Sequence, residues 1–348
     1  MNRNAAPNLH LRQAVEFGTG AGRGNLLGIQ PYMEPGDYAS AESFRAKLDG
    51  YFRAADEKGW LTPKTVVVLP EHIGTWLAAA GEKPAVYRAN TVHRAMQVLI
   101  WSHPVLFLRA LSKARAADKL AESVFRLKAK QMARMYQLVM GGLANEYGVT
   151  VVGGSILLPS PRVAGGRLLA GAGPLQNTSF LFRPDGSPAE QVVRKAFPTE
   201  AELPFTAPAS AAELPVFDTP AGRLGVLICA DSWFPQCYAA LKPRGVEALV
   251  VPSHLTEAWR GPWRGYNGAP PPADVDPADA ARLTEGEAWL KYALAGRIAA
   301  AGATHGMNVF LRGRLWDLGA DGHSLVVRRG AVLPGPKVDG ALLLNCRL

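Results

Sequence analysis

The stretch GRLGVLICADSWFPQ, from Gly222 to Gln236, decides the interpretation of the chain. Its apolar, β-branched run from Leu224 to Ile228 predicts a buried strand, and the residues beyond Asp231 are typical of a helix start. Cys229 therefore lies on a predicted strand-to-helix bend. A side chain on such a bend stands clear of the sheet, and the next backbone N–H groups point to where an oxyanion would form. A lone cysteine more often serves as a small buried hydrophobe, so a catalytic role needs partners elsewhere in the chain.

Two other stretches supply such partners. TVVVLPEHIGTW, from Thr65 to Trp76, predicts a buried strand. Pro70 ends this strand because proline offers no N–H to the ladder, so Glu71 is presented at the edge of the sheet. VVRKAFPTEAELPF, residues 192–205, places Lys195 directly after another predicted strand. Taken alone, each residue has an ordinary explanation as a solvated loop carboxylate or a surface lysine.

Together the three stretches resemble the glutamate, lysine and cysteine motifs of the nitrilase, or carbon-nitrogen hydrolase, superfamily. The resemblance extends from about Gly24 to about Leu333. It implies an α/β fold, a single-domain four-layer α-β-β-α sandwich. It also implies that Glu71, Lys195 and Cys229 are the catalytic residues of an amidase-like hydrolase of non-peptide C–N bonds.

Many members of this superfamily carry a second glutamate after the lysine, followed three positions on by phenylalanine. Glu202 and Phe205 fit that pattern, and Glu200 is the nearby alternative. The resemblance implies that this second glutamate orients the lysine and the substrate. We therefore expect Glu202 to be the fourth catalytic residue.

The chemistry of these residue types suits amide hydrolysis. A thiol is mostly protonated at neutral pH and needs a base, for which Glu71 is the candidate. A carboxylate partly withdrawn from water can accept the thiol proton and return it to the departing amine. Lys195 and the backbone N–H of Ala230 would stabilise the oxyanion, at about 3 kcal/mol per donor. Water would then hydrolyse a thioester on Cys229, with Glu71 again acting as the base.

The sequence leaves other interpretations open. Nitrilases proper usually carry Trp-Glu after the cysteine, whereas this chain carries Ala230-Asp231, which favours amide or carbamoyl substrates. Gln236 also departs from the Glu of many amidase-type members. Nitrile hydrolysis by the same thiol is the alternative activity, and a catalytically inactive scaffold or oligomeric relative is the alternative of another class. A cysteine-protease-like scheme would instead combine Cys229 with His254 and Asp231.

Residues that follow strand ends near the cysteine are candidates for the walls of a pocket. Trp233, Trp259 and His254 meet this condition and, with Ala230, are the predicted substrate-binding residues. Trp263 is a further candidate for the wall. Aromatic residues at such positions are equally often part of the core.

The composition restricts the partners. The net charge is +9, but the basic residues are scattered along the chain, so nucleic-acid binding is not expected. The 3 cysteines and 7 histidines show no metal spacing, so we expect no disulfide framework, no metal and no cofactor. The absence of a secretory signal and the cysteine usage favour a cytoplasmic location. The resemblance implies a homodimer or larger homo-oligomer that acts on a small-molecule amide or nitrile.

The chain is predicted to comprise a flexible N-terminal arm, residues 1–23, and a carbon-nitrogen hydrolase domain, residues 24–348, with a divergent helical insertion at about 82–115. The apolar run of the insertion, residues 96–111, is shorter than the roughly 20 residues that span a bilayer, and Pro104 interrupts it. No transmembrane segment is therefore expected. The insertion could be a helical pair covering the active-site mouth, an oligomer contact or a membrane-surface patch.

Hydrophobic periodicity predicts the elements around these motifs. Predicted helices span residues 40–58, 118–147, 235–241 and 285–303. Predicted strands span residues 24–32, 65–69, 150–158, 178–182, 191–194, 248–251 and 307–312, and residues 322–327 resemble the late hairpin of the superfamily. Residues 260–279, rich in Pro, Gly and aromatics, predict a long binding or lid loop.

Overall fold

The computed structural model describes residues 7–19, 22–266 and 269–348. The strands are β1 Leu11–Phe17, β2 Asn25–Gln30, β3 Tyr32–Met33, β4 Thr65–Val68, β5 Thr150–Val152, β6 Ile156–Pro159, β7 Arg162–Ala164, β8 Arg167–Leu169, β9 Leu175–Ser179, β10 Leu181–Phe182, β11 Val193–Arg194, β12 Val216–Thr219, β13 Gly222–Val226, β14 Ala248–Ser253, β15 His305–Phe310, β16 Arg312–Gly313, β17 Leu325–Arg328, β18 Ala331–Pro334 and β19 Ala341–Arg347. The helices are α1 Ala41–Asp56, α2 Pro84–Tyr87, α3 Val92–Ser102, α4 Pro104–Leu111, α5 Lys119–Tyr147, α6 Pro235–Leu241, α7 Glu285–Tyr292 and α8 Leu294–Arg297.

Two large sheets form the centre of the described part of the chain. The first sheet has the order β1-β19-β2-β4-β5-β10, and the second has the order β12-β13-β14-β15-β17-β18. Strands β2, β4 and β5 are mutually parallel, as are β13, β14 and β15. Parallel strands buried on both faces have near-continuous apolar sequences. This explains the apolar runs that precede Glu71 and Cys229.

The two sheets pack face to face between two helical layers. Successive side chains of a strand point to opposite faces. Leu26 and Val66 accordingly pack with residues of the second sheet, such as Met307. Their neighbours Leu27 and Val67 instead pack in a separate cluster with residues of α1 and α5. Helices α6 to α8 contribute to the cluster around the second sheet, so the predicted four-layer α-β-β-α sandwich is confirmed.

The sheets approach closely at Gly28 on β2. A Cβ atom added there would lie 2.4 Å from the Sδ atom of Met307 on β15. A larger residue would therefore separate the two sheets, or displace Met307, in a core where packing is dense.

Helix α5 begins and ends as its sequence predicts. The Asp118 side chain accepts hydrogen bonds from the backbone N–H groups of Leu120 and Ala121, and Gly148 follows the helix in the left-handed conformation. With α1, this 29-residue helix covers the outer face of the first sheet.

Several predicted elements are divided in the structure, namely the predicted strands 24–32, 150–158, 178–182 and 307–312 and the predicted helix 285–303. The predicted strand 150–158 is split into β5 and β6, which belong to different sheets. Gly154 between them has a φ of +69°, and a Cβ there would lie 2.0 Å from the carbonyl oxygen of Pro70. The close approach therefore brings the chain before Glu71 against this turn. The predicted helix 285–303 is likewise divided after α7, because Ala293 adopts an extended conformation.

The predicted flexible arm is partly wrong. Within residues 1–23, the segment Leu11–Phe17 forms the edge strand β1, which pairs in parallel with β19. Its side chains are only partly covered, so its sequence lacks the strong apolar pattern of the inner strands. Residues 1–6 and 20–21 of the predicted arm lie outside the described residues.

The insertion forms α2, α3 and α4. Val92 and Met96 of α3 line the cavity described below, which favours a cover over the cavity mouth. The other side of the insertion leaves Trp101 80% exposed and Leu108 64% exposed. Among the described residues, no helix has both the length and the apolar composition needed to cross a bilayer.

Candidate active site

The ends of four strands converge on one cavity. Glu71 follows β4, Lys195 follows β11, Cys229 follows β13 and His254 follows β14. In open α/β sheets, the carboxyl ends of parallel strands are where ligands bind. Here the four residues line a cavity of about 810 Å³.

Lys195 lies between two carboxylates. Its Nζ is 2.7 Å from Oε1 of Glu71 and 2.5 Å from Oε2 of Glu202, and all three side chains are buried. Burial opposes the charged ammonium, but Glu202 and Glu71 hold the pKa of Lys195 well above its ordinary value. The ammonium therefore stays charged, and two of its three N–H donors are used by the glutamates.

The Glu71 carboxylate is held from three directions. Its Oε1 accepts hydrogen bonds from Lys195 and from Nδ2 of Asn177 at 2.9 Å. Its Oε2 accepts the backbone N–H of His254 at 3.2 Å. These contacts fix the carboxylate while leaving further acceptor capacity on Oε2.

Glu202 is the glutamate that contacts the lysine. Its Oε2 accepts the backbone N–H of Thr199 at 2.8 Å, and its Oε1 accepts Nδ2 of Asn177 at 2.8 Å. Burial favours the neutral acid, but Lys195 and then His72 hold the pKa of Glu202 well below its ordinary value. Glu200, the alternative in sequence, lies exposed at the cavity wall.

Cys229 occupies a strained backbone position on a 3-10 turn. Its φ is +47°, in the left-handed region that bulky residues seldom adopt. The Sγ atom is 3.5 Å from the carbonyl oxygen of His254. Burial and the charge of Glu71 raise the pKa of the thiol well above its ordinary value, and Lys195 opposes this only in part. The resting group is therefore a thiol, and its attack requires a base.

Asp231 connects the cysteine turn to the lysine loop. Its Oδ1 accepts the backbone N–H groups of Ala196 and Phe197, both at 2.9 Å, and its Oδ2 accepts that of Ile228 at 3.2 Å. Burial raises the pKa of Asp231 to about 7, with Lys195 and the three N–H donors opposing the rise. The side chain thus fixes the residues next to Cys229 and Lys195 relative to each other.

The geometry does not support a cysteine–histidine pair. The His254 ring faces Gly319, with Nε2 2.8 Å from that residue's carbonyl oxygen, so this nitrogen is assigned as the donor. Cys229 contacts the main chain of His254, not its ring. Burial lowers the pKa of His254 to about 4, and the carboxylate of Asp231 points to backbone N–H groups instead.

The predicted pocket walls are found in part. Ala230, Trp233 and His254 line the cavity. Trp259 and Trp263 are buried and are not among the described residues that line it. Trp259 packs against Phe310 and His323, and Trp263 stacks on Trp233 and Tyr292, so both belong to the core behind the wall.

Two polar residues of the site were missed in the sequence. Asn177 on β9 donates to both Glu71 and Glu202, and its position inside a strand was the available signal, because asparagine is rare there. His72 adopts a φ of +59°, and its Nε2 lies 3.5 Å from Oε1 of Glu202. His72 adjoins Glu71 in sequence, but nothing in its spacing indicates this contact.

Glu71, His72 and Glu202 could also be considered as metal ligands, because their donor atoms lie within 4.8 Å of one another. The ammonium of Lys195 already contacts both carboxylates. A divalent ion would have to displace this ammonium, so Glu71, His72 and Glu202 suit the charged Lys195 better than a metal ion.

Comparison with known proteins identifies the relatives of this arrangement. The family profile for carbon-nitrogen hydrolases matches residues 120–268, which include Lys195, Glu202 and Cys229. Residues 120–268, which are 149 of the 348 residues, are therefore similar to a carbon-nitrogen hydrolase. Its fold resembles an amidase from Nesterenkonia sp., with a TM-score of 0.55 at 16% identity over 94% of this chain and 91% of the other. A variant of the Nesterenkonia sp. AN1 amidase in complex with butyramide gives a TM-score of 0.53 at 15% identity, over 94% and 92% of the two chains.

Curated relatives match this chain over short segments. Deaminated glutathione amidase of Yersinia enterocolitica is 46% identical over 44 residues, which cover 13% of this chain and 15% of the relative. Nitrilase 2 of Arabidopsis thaliana is 33% identical over 76 residues, or 22% of each chain. The matched segments thus span less than a quarter of either relative's length.

Proposed function

We propose that this chain hydrolyses the C–N bond of a small-molecule amide through a thioester on Cys229. The observation that carries the proposal is that a buried carboxylate, a buried ammonium and a thiol all face one cavity. Glu71, Lys195 and Cys229 come from three different strand ends. Burying charged groups is costly, and such groups are concentrated where chemistry requires them.

In the first step, the Cys229 sulfur attacks the amide carbon while Glu71 takes the thiol proton. The C–S bond forms and the carbonyl π electrons move to oxygen. The tetrahedral intermediate then collapses, the C–N bond breaks, and Glu71 returns the proton to the departing nitrogen. Ammonia or an amine leaves, and the acyl group stays on the sulfur.

The oxyanion would be stabilised by two donors. Lys195 has one N–H beyond the two that bond to Glu71 and Glu202. Ala230 is the second residue of the 3-10 turn, where a short helix leaves its N–H without an internal acceptor. Donors held at a fixed position act on the developing charge without reorganisation, which is the basis of their contribution.

The second step regenerates the thiol. A water molecule gives a proton to Glu71 as its oxygen attacks the thioester carbon, and the C–S bond then breaks. The acid leaves, and the proton on Glu71 returns to the sulfur. Glu202 and Asn177 hold Glu71 and Lys195 through both steps, and we propose positioning roles for them.

The similar proteins give partial support for an amide, rather than a nitrile, as the substrate. The similar proteins include the Nesterenkonia amidase, a variant of which is in complex with butyramide, and deaminated glutathione amidase, whereas two others are nitrilases. The Ala230-Asp231 pair after Cys229 also favours an amide substrate over a nitrile. Nitrile hydrolysis by the same thiol is the second candidate, and the substrate panel below separates the two.

The test is ammonia release from a panel of primary amides, carbamoyl amino acids and nitriles, combined with intact-mass measurement of the protein. We expect ammonia from amides and an acyl adduct that disappears in Cys229→Ala. Cys346→Ala is the matched control, because Cys346 is also a free, buried thiol but lies on β19 away from the cavity. Absence of both adduct and ammonia with every compound would instead favour an inactive scaffold.

We also propose that the chain forms a homodimer or a larger homo-oligomer. Support comes from apolar side chains left exposed on α3 and α4, including Trp101 at 80% and Leu108 at 64%. Such exposure is uncommon on a monomer. Sedimentation of the wild type should give a multiple of the chain mass, and Trp101→Ser with Leu108→Ser tests whether this face takes part. A monomeric wild type would contradict the proposal.

A cytoplasmic location is proposed on the basis of the cysteines. Cys229, Cys237 and Cys346 are all free and buried, as is usual for proteins of reducing compartments. Fractionation of the producing cells tests this location, and recovery of the protein outside the cytoplasm would contradict it.

A further inference from the structure

Glu285 is a buried carboxylate in the wall of the catalytic cavity. It is the first residue of α7, is 8% exposed, and lines the same cavity as Cys229. Its carboxylate makes no ion pair with the described residues, and the donor beside it is the indole N–H of Trp289. A buried carboxylate without a cation is costly, so its presence needs a reason.

Helix capping does not provide that reason. The first turn of α7 is capped by Thr284 and Glu287, whose side chains exchange hydrogen bonds with each other's backbone N–H groups. Glu285 takes no part in this exchange. Two cations of the same region are also engaged elsewhere, since Lys291 binds Asp279 and Arg297 binds Asp274.

The surroundings of Glu285 suit a cation. Glu257 lines the same cavity. Burial and then the charge of Glu257 raise the pKa of Glu285 to about 7, and the nearby Trp289 offsets part of the rise. The rings of Trp233 and Trp289 lie 4.9 Å apart in the same wall. Aromatic faces attract cations, most strongly where water is excluded.

Trp289 places its buried indole N–H beside the carboxylate of Glu285. This single neutral donor offsets only part of the burial of the carboxylate. Trp233, whose ring Trp289 contacts, lies on the same 3-10 turn as Cys229. The wall therefore connects the nucleophile to Glu285 through two aromatic rings. Arg264 also lines the cavity, but its side chain belongs to an exposed residue.

We propose that Glu285, assisted by Glu257 and the rings of Trp233 and Trp289, binds a positively charged group of the substrate. The substrate class is an amide whose acyl chain carries a protonated amine at its far end. The inference rests on the proposed amide hydrolysis at Cys229. The cavity, at about 810 Å³, accommodates a chain that reaches from the thiol to a second polar group.

The test compares three amides of similar length and different charge: 4-aminobutanamide, pentanamide and the monoamide of glutaric acid. We expect kcat/KM to be about tenfold or more higher for the cationic amide than for pentanamide, and lowest for the anion, because bonds to charged groups are strong. In Glu285→Gln the ratio of kcat/KM for 4-aminobutanamide to that for pentanamide should fall to near one. Glu190→Gln, an exposed glutamate on the surface, is the control and should keep the ratio.

Binding separates this inference from the proposed activity. Calorimetry of the Cys229→Ala protein measures its affinity for 4-aminobutanamide and for pentanamide without turnover. If only the proposed amide hydrolysis is wrong, the Cys229→Ala protein should still bind 4-aminobutanamide more tightly than pentanamide. Equal affinity for the two amides, or a preference unchanged by Glu285→Gln, would overturn the inference. The longer 6-aminohexanamide, tested in parallel, reports the distance from the thiol to the carboxylate.

Discussion

Two sets of buried carboxylates in the cavity wall, Glu71 with Glu202 (the first end) and Glu285 (the second end), are compensated to different degrees. At one end, Glu71 and Glu202 share the ammonium of Lys195 and the amide of Asn177, and each also accepts a backbone N–H. At the other end, the carboxylate of Glu285 has no cation among the described residues and only the indole N–H of Trp289 beside it. The protein thus satisfies the charges of its own machinery and leaves one charge for a molecule that comes from outside.

This difference has a physical basis. Buried charges are tolerated when paired and hydrogen-bonded, and removing one partner exposes the full desolvation cost of the other. The first end is therefore expected to be stable in the free protein, and the second end to be stabilised only by a ligand. Variants that remove the cation from the first end, or the carboxylate from the second end, test this comparison directly.

The largest effect is expected for Lys195→Met. The change removes the cation between Glu71 and Glu202 and turns the satisfied end into one with two unpaired buried carboxylates. We expect a loss of about 3–5 kcal/mol in the free energy of unfolding at pH 8, measured by urea denaturation. Amide hydrolysis should fall by about 1,000-fold, because an oxyanion donor is lost.

The control for this variant adds Glu71→Gln and Glu202→Gln to Lys195→Met. With the carboxylates neutralised, stability should return in large part, while activity stays absent. A single Lys195→Met protein as stable as the wild type would show that the ammonium does not compensate the two carboxylates.

Much of the first end was predictable from the sequence. Glu71 and Cys229 each follow an apolar run that has to be a buried strand, and these strands, β4 and β13, belong to different sheets. The limits of α5 were also predictable, because Asp118 and Gly148 have side-chain and backbone properties that start and end helices. Bringing Glu71, Lys195 and Cys229 together depended on the resemblance and not on spacing.

The second end was not predictable. An acidic residue at the start of a helix, such as Glu285, is a common stabilising feature, so its sequence position gives no functional signal. Its meaning arises from burial and from the lack of a cation among the described residues, which only the tertiary structure shows. The same holds for Trp259 and Trp263, which follow the correct strand but turn into the core.

Asp231→Asn is expected to have the second-largest effect. An asparagine can offer one carbonyl oxygen to Ala196 and Phe197, but its amide nitrogen cannot accept the N–H of Ile228. That buried donor would lose its partner, at a cost of about 2 kcal/mol in unfolding free energy. Displacement of the residues beside Lys195 and Cys229 should also lower kcat, by about 10- to 100-fold.

The matched control is Asp218→Asn on β12, whose side chain is 88% exposed. It should change neither stability nor kcat. Equal behaviour of the two variants would contradict the role of Asp231 as the connection between the two loops.

Glu285→Gln should act in the opposite direction and more weakly. The pKa of Glu285 is raised from 4.5 to about 7 in the folded protein. The wild type therefore loses stability as pH rises from about 4.5 to about 7, because the folded state must give up a proton that it holds more tightly than the unfolded chain. At pH 8 the variant should be more stable by about 1 kcal/mol, since water in the cavity screens part of the cost.

Urea denaturation at pH 4.5 and pH 8 measures this difference, which should be small at the lower pH. Glu257, Arg264 and Tyr266 also line the cavity and are unchanged in both proteins. A variant less stable than the wild type at pH 8 would show that Glu285 is a structural group, and the contrast between the two ends would disappear.

The smallest effect is expected for His254→Ala. The contacts that His254 makes with the catalytic residues are made by its backbone, through the N–H to Glu71 and the carbonyl oxygen near Cys229. Its ring binds Gly319 and is neutral at pH 7, because burial lowers its pKa to about 4. We therefore expect kcat to fall by less than about tenfold, the range in which loss of one neutral hydrogen bond lies. Near-complete loss of thioester formation in His254→Ala, together with normal activity in Glu71→Ala, would instead assign the proton transfer to the histidine and remove the reason for the paired carboxylates around Lys195.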